Sequence, residues 1–190
     1  MLPPASGTAD VFFQQQLSLG TSGYRVIAVD YPPCWSHDSW CESFLRLIDQ
    51  LKLDQVHLFG ASLGAFLAQK FAVYTSKSQR VRSLILCNGF TDTDVFKGMP
   101  PVKSFRYLPK FVMRRLILSN YPSHEVDPEV ADSVDFMVQR LDNLERVEIA
   151  SRLTLNMLPG YITPQHVSAQ GIDVMVMAVL DQTAITNSVQ

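Results

Sequence analysis

The sequence has few of the features that mark secreted, membrane-spanning or nucleic-acid-binding proteins. It contains only three cysteines in 190 residues. Cys34, Cys41 and Cys87 cannot all pair with one another, and none of them lies in a C-x-x-C spacing. We therefore expect a reducing, cytosolic compartment and neither a metal nor another cofactor. No apolar run approaches the roughly 18 residues that a membrane-spanning helix needs.

The chain also carries little net charge. Sixteen basic and eighteen acidic side chains leave a formal charge of −2. Because nucleic-acid-binding proteins present a basic face, this balance predicts no nucleic-acid partner, and it leaves no polybasic membrane anchor. A hydrophobic content of 47% is typical of a globular protein, and residues 1–190 are enough for one domain with a sizeable core.

Short apolar runs alternate with helical patterns along the chain. Four runs predict strands, and two amphipathic segments predict helices between the first three of them. The predicted strands are 24–29, 56–59, 81–87 and 174–180, and the predicted helices are 39–52 and 63–74. This alternation predicts an α/β fold with a doubly wound, mostly parallel sheet, whose strands are buried on both faces and flanked by helices.

The stretch from residue 90 to residue 171 interrupts this alternation. It contains three predicted helices, at 109–118, 127–141 and 144–156, and it far exceeds the median connection of about 4–6 residues. We predict a helical cap inserted before the last strand. The single domain would then comprise a core (1–89), the cap (90–171) and a return to the core (172–190). The aromatic and methionine side chains early in the cap suit either its own core or a docking surface.

A G-x-S-x-G motif follows the second predicted strand and opens the next helix. It comprises Gly60, Ala61, Ser62, Leu63 and Gly64. This is the pattern of a nucleophile elbow, in which a sharp turn exposes the serine and the flanking glycines relieve crowding. The same residues would also suit a second interpretation, in which the glycines only let a helix approach a strand and Ser62 caps that helix.

A serine nucleophile needs an acid and a base to activate it. In this architecture they follow the serine in the order acid, then histidine. Asp181 ends the last predicted strand, where the acid belongs, although a solvated aspartate that caps a turn would look the same. No histidine follows it, and we identify no catalytic histidine. The four histidines of the chain are His37, His57, His124 and His166.

These features together resemble the α/β-hydrolase superfamily, and within it a group of members regarded as non-catalytic. The resemblance is carried by residues 2–13, 52–72, 81–93, 134–141 and 150–156. It implies a cytosolic protein, partly associated with endosomal and trans-Golgi membranes, that binds the cytoplasmic tail of a T-cell surface co-receptor and restrains its signalling. The alternative is a serine hydrolase of ester or acyl substrates with Ser62 as the nucleophile.

The resemblance also assigns an oxyanion loop and the position of the chain ends. It puts Pro3 and Pro4 where active members have His-Gly, and the backbone N–H groups of Ala5 and Leu63 at the two oxyanion positions. It implies that the chain begins just after the third strand of the sheet, which lies between residues 24–29 and 56–59. It also implies an end before the last strand and helix, so we expect a chain shortened at both ends.

Overall fold

A three-stranded parallel sheet forms the centre of the molecule. The computed structural model of the protein describes residues 1–96, 100–119 and 128–178. Its strands are β1 (Val56–Ala61), β2 (Val81–Cys87) and β3 (Asp173–Met177), in the order β1-β2-β3. Leu84 of β2 lies opposite Leu58 of β1 and opposite Val174 of β3. The parallel α/β class predicted from the alternating pattern is therefore confirmed.

The prediction of a strand at residues 24–29 is wrong. This segment has no regular strand structure, although the Met1 amino group donates to the carbonyl of Ile27 (2.6 Å) and the N–H of Val29 to the carbonyl of Met1 (3.1 Å). On the other side, the N–H of Leu2 donates to the carbonyl of Phe59 (2.8 Å). Met1 and Leu2 thus lie between residues 24–29 and β1. Two residues are too few to pair with the whole apolar run, so no continuous ladder forms.

The prediction of the last strand, at residues 174–180, is only partly correct. β3 covers residues 173–177, and residues 179 and 180 of the prediction lie outside the described residues. All five residues of β3 are exposed, whereas its apolar sequence predicted burial on both faces. The difference arises because burial needs a layer of helices on each face, and no described helix covers β3.

Seven α-helices occur in the described ranges. They are α1 (Phe13–Thr21), α2 (His37–Gln50), α3 (Leu63–Tyr74), α4 (Lys110–Leu118), α5 (Pro128–Asn143), α6 (Arg146–Met157) and α7 (Pro164–Ser168). The five predicted helices occur within about two residues of their predicted bounds, and α1 and α7 were not predicted. None of the described helices is both long and apolar enough to pass through a bilayer.

Local capping explains where two of these helices begin. Ser36 precedes α2, and its hydroxyl oxygen accepts a hydrogen bond from the N–H of Ser39 (3.1 Å). Before α6, Glu145 and Glu148 form a reciprocal capping box. Each arrangement satisfies backbone N–H groups that the first turn of a helix leaves without an intrahelical partner.

Two hydrophobic clusters stabilise the molecule. The larger cluster surrounds α3 and the sheet, and it includes Ile162 and Val167 from the region after α6. The smaller cluster lies among α4, α5 and α6, around Phe105 and Met113. Helix α6 contributes to both clusters, through Leu155 and Leu153 respectively. Packing in both clusters fixes the position of α6 beside the carboxyl end of β1, where the candidate site lies.

Candidate functional site around Ser62

Ser62 lies at a sharp turn between β1 and α3. Its backbone has φ 50° and ψ −113°, a conformation that costs a non-glycine residue on the order of 1–3 kcal/mol. The turn is held by the N–H of Ser62, which donates to the carbonyl of Cys87 (2.9 Å), and by the Ser62 carbonyl, which accepts from Ala65 and Phe66. The Ser62 hydroxyl does not cap α3, so the helix-capping interpretation of the motif is wrong.

The glycines of the motif allow the backbone segments to approach closely. A Cβ atom on Gly64 would lie 2.8 Å from the Pro3 carbonyl oxygen and closer still to the Leu2 carbonyl. A Cβ atom on Gly60 would lie 2.6 Å from the Cα atom of Ala65. Gly64 therefore admits the chain start against α3, and Gly60 admits the first turn of α3 against β1.

A pocket of about 180 Å³ opens over Ser62, between the elbow and helices α4 and α6. Its walls come from the chain start, the elbow, the segment after β2 and helices α4 and α6. The lining residues are Pro4, Ala5, Ser6, Ser62, Phe96, Leu116, Ile117, Leu153, Asn156 and Met157. A mostly apolar wall with a few polar groups is the usual composition of a small-molecule site.

The loop at residues 3–7 is held in place beside this pocket. The Tyr31 hydroxyl donates to the Pro3 carbonyl (2.6 Å), and the N–H of Gly7 donates to the Pro4 carbonyl (3.1 Å). Ala5 lines the pocket, and the N–H groups of Ala5 and Leu63 donate to no described residue. Leu63 is buried and does not line the pocket, and the assignment of the two N–H groups as an oxyanion pair stays a prediction.

The described histidines lie away from the pocket. The buried His37 shares a 2.8 Å hydrogen bond between Nε2 and the Leu155 carbonyl, and burial lowers the pKa of its imidazole. His57 is exposed and shares a hydrogen bond with the Ser83 hydroxyl (2.7 Å). His166 lies exposed on α7. None of these three lines the pocket. His124 and Asp181 lie outside the described residues, and the acid role of Asp181 stays a prediction.

Two buried polar side chains of α6 were missed by the sequence analysis. Arg152 is 1% exposed, donates to the Gly7 carbonyl and lies 3.8 Å from the Asp30 carboxylate; burial lowers the pKa of its guanidinium. Asn156 is 7% exposed and lines the pocket. The spacing of four residues places both on one helix face. Because α6 also contains Glu148, Ser151 and Thr154, the spacing alone did not single this pair out.

Comparison with known proteins agrees with this geometry. A family model described as the alpha/beta hydrolase fold matches residues 4–120. Maspardin from Mus musculus and maspardin from Homo sapiens are each 54% identical to the chain over 185 residues, which is 97% of its length. The match covers 59% of each of those proteins, so the chain spans about three fifths of the length of these relatives.

Solved structures with low sequence identity show the same fold. A carboxylesterase structure from the thaumarchaeon Nitrososphaera gargenis superposes with a TM-score of 0.72 at 16% identity, covering 98% of this chain and 73% of that one. A structure of a non-heme bromoperoxidase, BpoC, from Mycobacterium tuberculosis H37Rv superposes with a TM-score of 0.71 at 18% identity, covering 97% and 74%. At this identity the likeness concerns the fold alone.

Proposed function

The chain belongs to the α/β-hydrolase fold family and is maspardin-like, and from this membership we propose that it acts as a non-catalytic interaction protein. The elbow and pocket are then inherited parts of the scaffold. The observation that carries the proposal is the 54% identity to maspardins along 97% of the chain, since the sequence resemblance to this group is what implies a non-catalytic role.

The placement of the histidines supports the same proposal. A serine hydroxyl is a weak nucleophile until a base removes its proton. His37 is buried, and its Nε2 is engaged with the Leu155 carbonyl at 2.8 Å. The loop before the elbow contains Pro3 and Pro4, where the resemblance places the His-Gly of active members. No histidine of the described ranges lines the pocket, which favours binding over turnover.

We propose as partner the cytoplasmic tail of a T-cell surface co-receptor, whose signalling the protein would restrain. The protein would be cytosolic and partly peripheral on endosomal and trans-Golgi membranes. This part rests on the sequence resemblance. The cap offers an apolar surface for a tail, because Tyr107 is 86% exposed and Phe111 is 73% exposed, whereas Phe105 is buried in the cap cluster.

A binding experiment tests the partner. An immobilised peptide of the co-receptor tail is expected to retain the full chain, and a peptide of the same composition in scrambled order is not. The double variant Tyr107→Ala and Phe111→Ala should lose retention, because it removes the exposed aromatic surface. Tyr24→Ala removes an exposed aromatic residue (67%) of the core region and should bind normally. Equal retention by both peptides would refute the proposal.

A second candidate, a serine hydrolase of ester or acyl substrates, is favoured by one observation. Ser62 has the strained backbone conformation of an elbow and lines a pocket of about 180 Å³. In this candidate Ser62 is the nucleophile, Asp181 the acid, and Ala5 and Leu63 the oxyanion donors. Strain at a functional turn persists only where surrounding contacts hold it in place.

Labelling with a fluorophosphonate separates the two candidates. Under the non-catalytic proposal, Ser62 is not labelled, because no base lowers the barrier to its attack. Stoichiometric labelling at Ser62, abolished in Ser62→Ala, would establish the second candidate in place of the first. Ser6→Ala, which changes the other hydroxyl of the pocket wall, serves as the matched control.

A further inference from the structure

The buried side chain of Asn156 has a polar atom without a hydrogen-bond partner among the described residues. The residue is 7% exposed, and the atom is Oδ1. Buried polar atoms are nearly always paired, because an unpaired one keeps the cost of leaving water without a compensating bond. A carboxamide held in this state at the wall of an open pocket indicates a group that arrives from outside the chain.

The residues around Asn156 offer few polar groups that could pair with its side chain. One turn earlier, Arg152 is directed to Gly7 and Asp30. The other walls near Asn156 are apolar, formed by Leu153, Met157 and Ile117. The pocket wall is therefore mostly aliphatic, with Ser6 and Ser62 as its other polar side chains, and a ligand that fits must combine an aliphatic body with a polar head.

The size of the pocket limits the body of the ligand. Its volume is about 180 Å³, and since an apolar cavity of about 150 Å³ holds benzene, it suits a molecule of roughly six to eight non-hydrogen atoms. The head must donate a hydrogen bond, because the unpaired atom of Asn156 is Oδ1, an acceptor. A primary carboxamide meets this requirement through its N–H, and its oxygen can at the same time accept from the NH₂ group of Asn156.

We propose that the Ser62 pocket is a receptor site for a small aliphatic carboxamide, whose amide group pairs with the side chain of Asn156. The aliphatic body lies against the apolar walls formed by α4 and α6. This site is separate from the aromatic cap surface that we propose for the tail, and either proposal can fail without the other.

Valeramide (pentanamide) and 2-hexanone are a matched pair of probes. They have the same number of non-hydrogen atoms and the same linear shape, but the ketone accepts a hydrogen bond and cannot donate one. We expect valeramide to bind the full chain about tenfold more tightly than 2-hexanone, the effect of one buried group left unpaired. Titrations followed by amide NMR would also show the side-chain NH₂ signal of Asn156 shifting with valeramide.

Two variants assign the preference to Asn156. Asn156→Leu should abolish the preference for valeramide, with binding of 2-hexanone unchanged or tighter. Asn143→Leu changes an exposed asparagine at the end of α5 and should keep the preference. A preference that persists in Asn156→Leu would overturn the proposal. So would equal affinities, or no binding of either probe, in the unaltered protein, and that comparison needs no variant to fold.

Discussion

Strands β1 and β3 lie on opposite sides of β2 and run parallel to it, yet their surroundings differ completely. Leu58 in β1 is 3% exposed, and helix α3 packs against the strand, with Phe66, Leu67 and Phe71 fully buried. In β3, Val174 to Met177 are between 43% and 64% exposed. Both strands have apolar sequences. The difference shows that an apolar run predicts a strand, whereas burial depends on the helices that cover it.

The largest expected effect comes from shortening one side chain in each strand. Leu58→Ala should lower the free energy of unfolding by about 3 kcal/mol, because it leaves a cavity beneath α3. Met175→Ala removes a side chain that is 58% exposed and should change it by less than about 0.5 kcal/mol. Urea unfolding followed by circular dichroism measures both. Similar losses for the two variants would mean that β3 is buried in solution.

A smaller effect is expected from the same substitution at two glycines. Gly64→Ala should lower the free energy of unfolding by about 2 kcal/mol, because its Cβ atom overlaps the backbone of Leu2 and Pro3. At Gly20 in α1 a Cβ atom meets nothing within 4 Å. Gly20→Ala should raise the free energy of unfolding by about 0.5 kcal/mol, since alanine favours a helix over glycine. If Gly64→Ala is neutral, the close contact between the chain start and α3 is absent.

The smallest expected effect is a pH dependence of the stability, and it arises from His37, which packs against the helix that covers β1. His37 packs against Phe66 of α3 with ring centroids 5.1 Å apart, and burial lowers the pKa of its imidazole. Below the ordinary histidine pKa of about 6.5, the unfolded chain therefore binds more protons than the folded one. Stability should fall as the pH falls from about 6.5 through the lower folded-state pKa.

The contribution of His37 is isolated by substitution. In His37→Gln, the urea midpoint of unfolding should fall less steeply below about pH 6.5 than in the unaltered protein. His166 lies exposed on α7, and His166→Gln should leave the pH dependence of the midpoint unchanged. An equally steep fall in His37→Gln would assign the pH dependence to other groups.

Much of the fold could be predicted because its signals are local. The 3.6-residue spacing of apolar side chains marks α2 and α3, and the G-x-S-x-G motif between a strand and a helix marks the elbow at Ser62. The prediction of a strand at residues 24–29 failed because a strand needs a partner of sufficient length. There the partner is Met1, whereas Leu2 bonds to β1, and a local pattern cannot reveal this arrangement.

The candidate site was predictable in part. Ser62 and Ala5, which line the pocket, could be located because they lie on one motif and on one loop that the resemblance aligns. Asn156 could not, because its place in the pocket depends on how α6 lies over the elbow, far away along the chain. The state of His37, bonded to the Leu155 carbonyl, depends on the same packing between α2 and α6.

By itself the sequence determined the class of fold, the parallel pairing of β1 and β2, and the strained turn at Ser62, since each follows from spacing along a few neighbouring residues. Only the tertiary structure decided which strand is covered, where the described histidines point and which polar groups of α6 are buried at the pocket. Those properties arise from contacts between residues such as Cys34 and Ser151, whose distance along the chain leaves no local pattern.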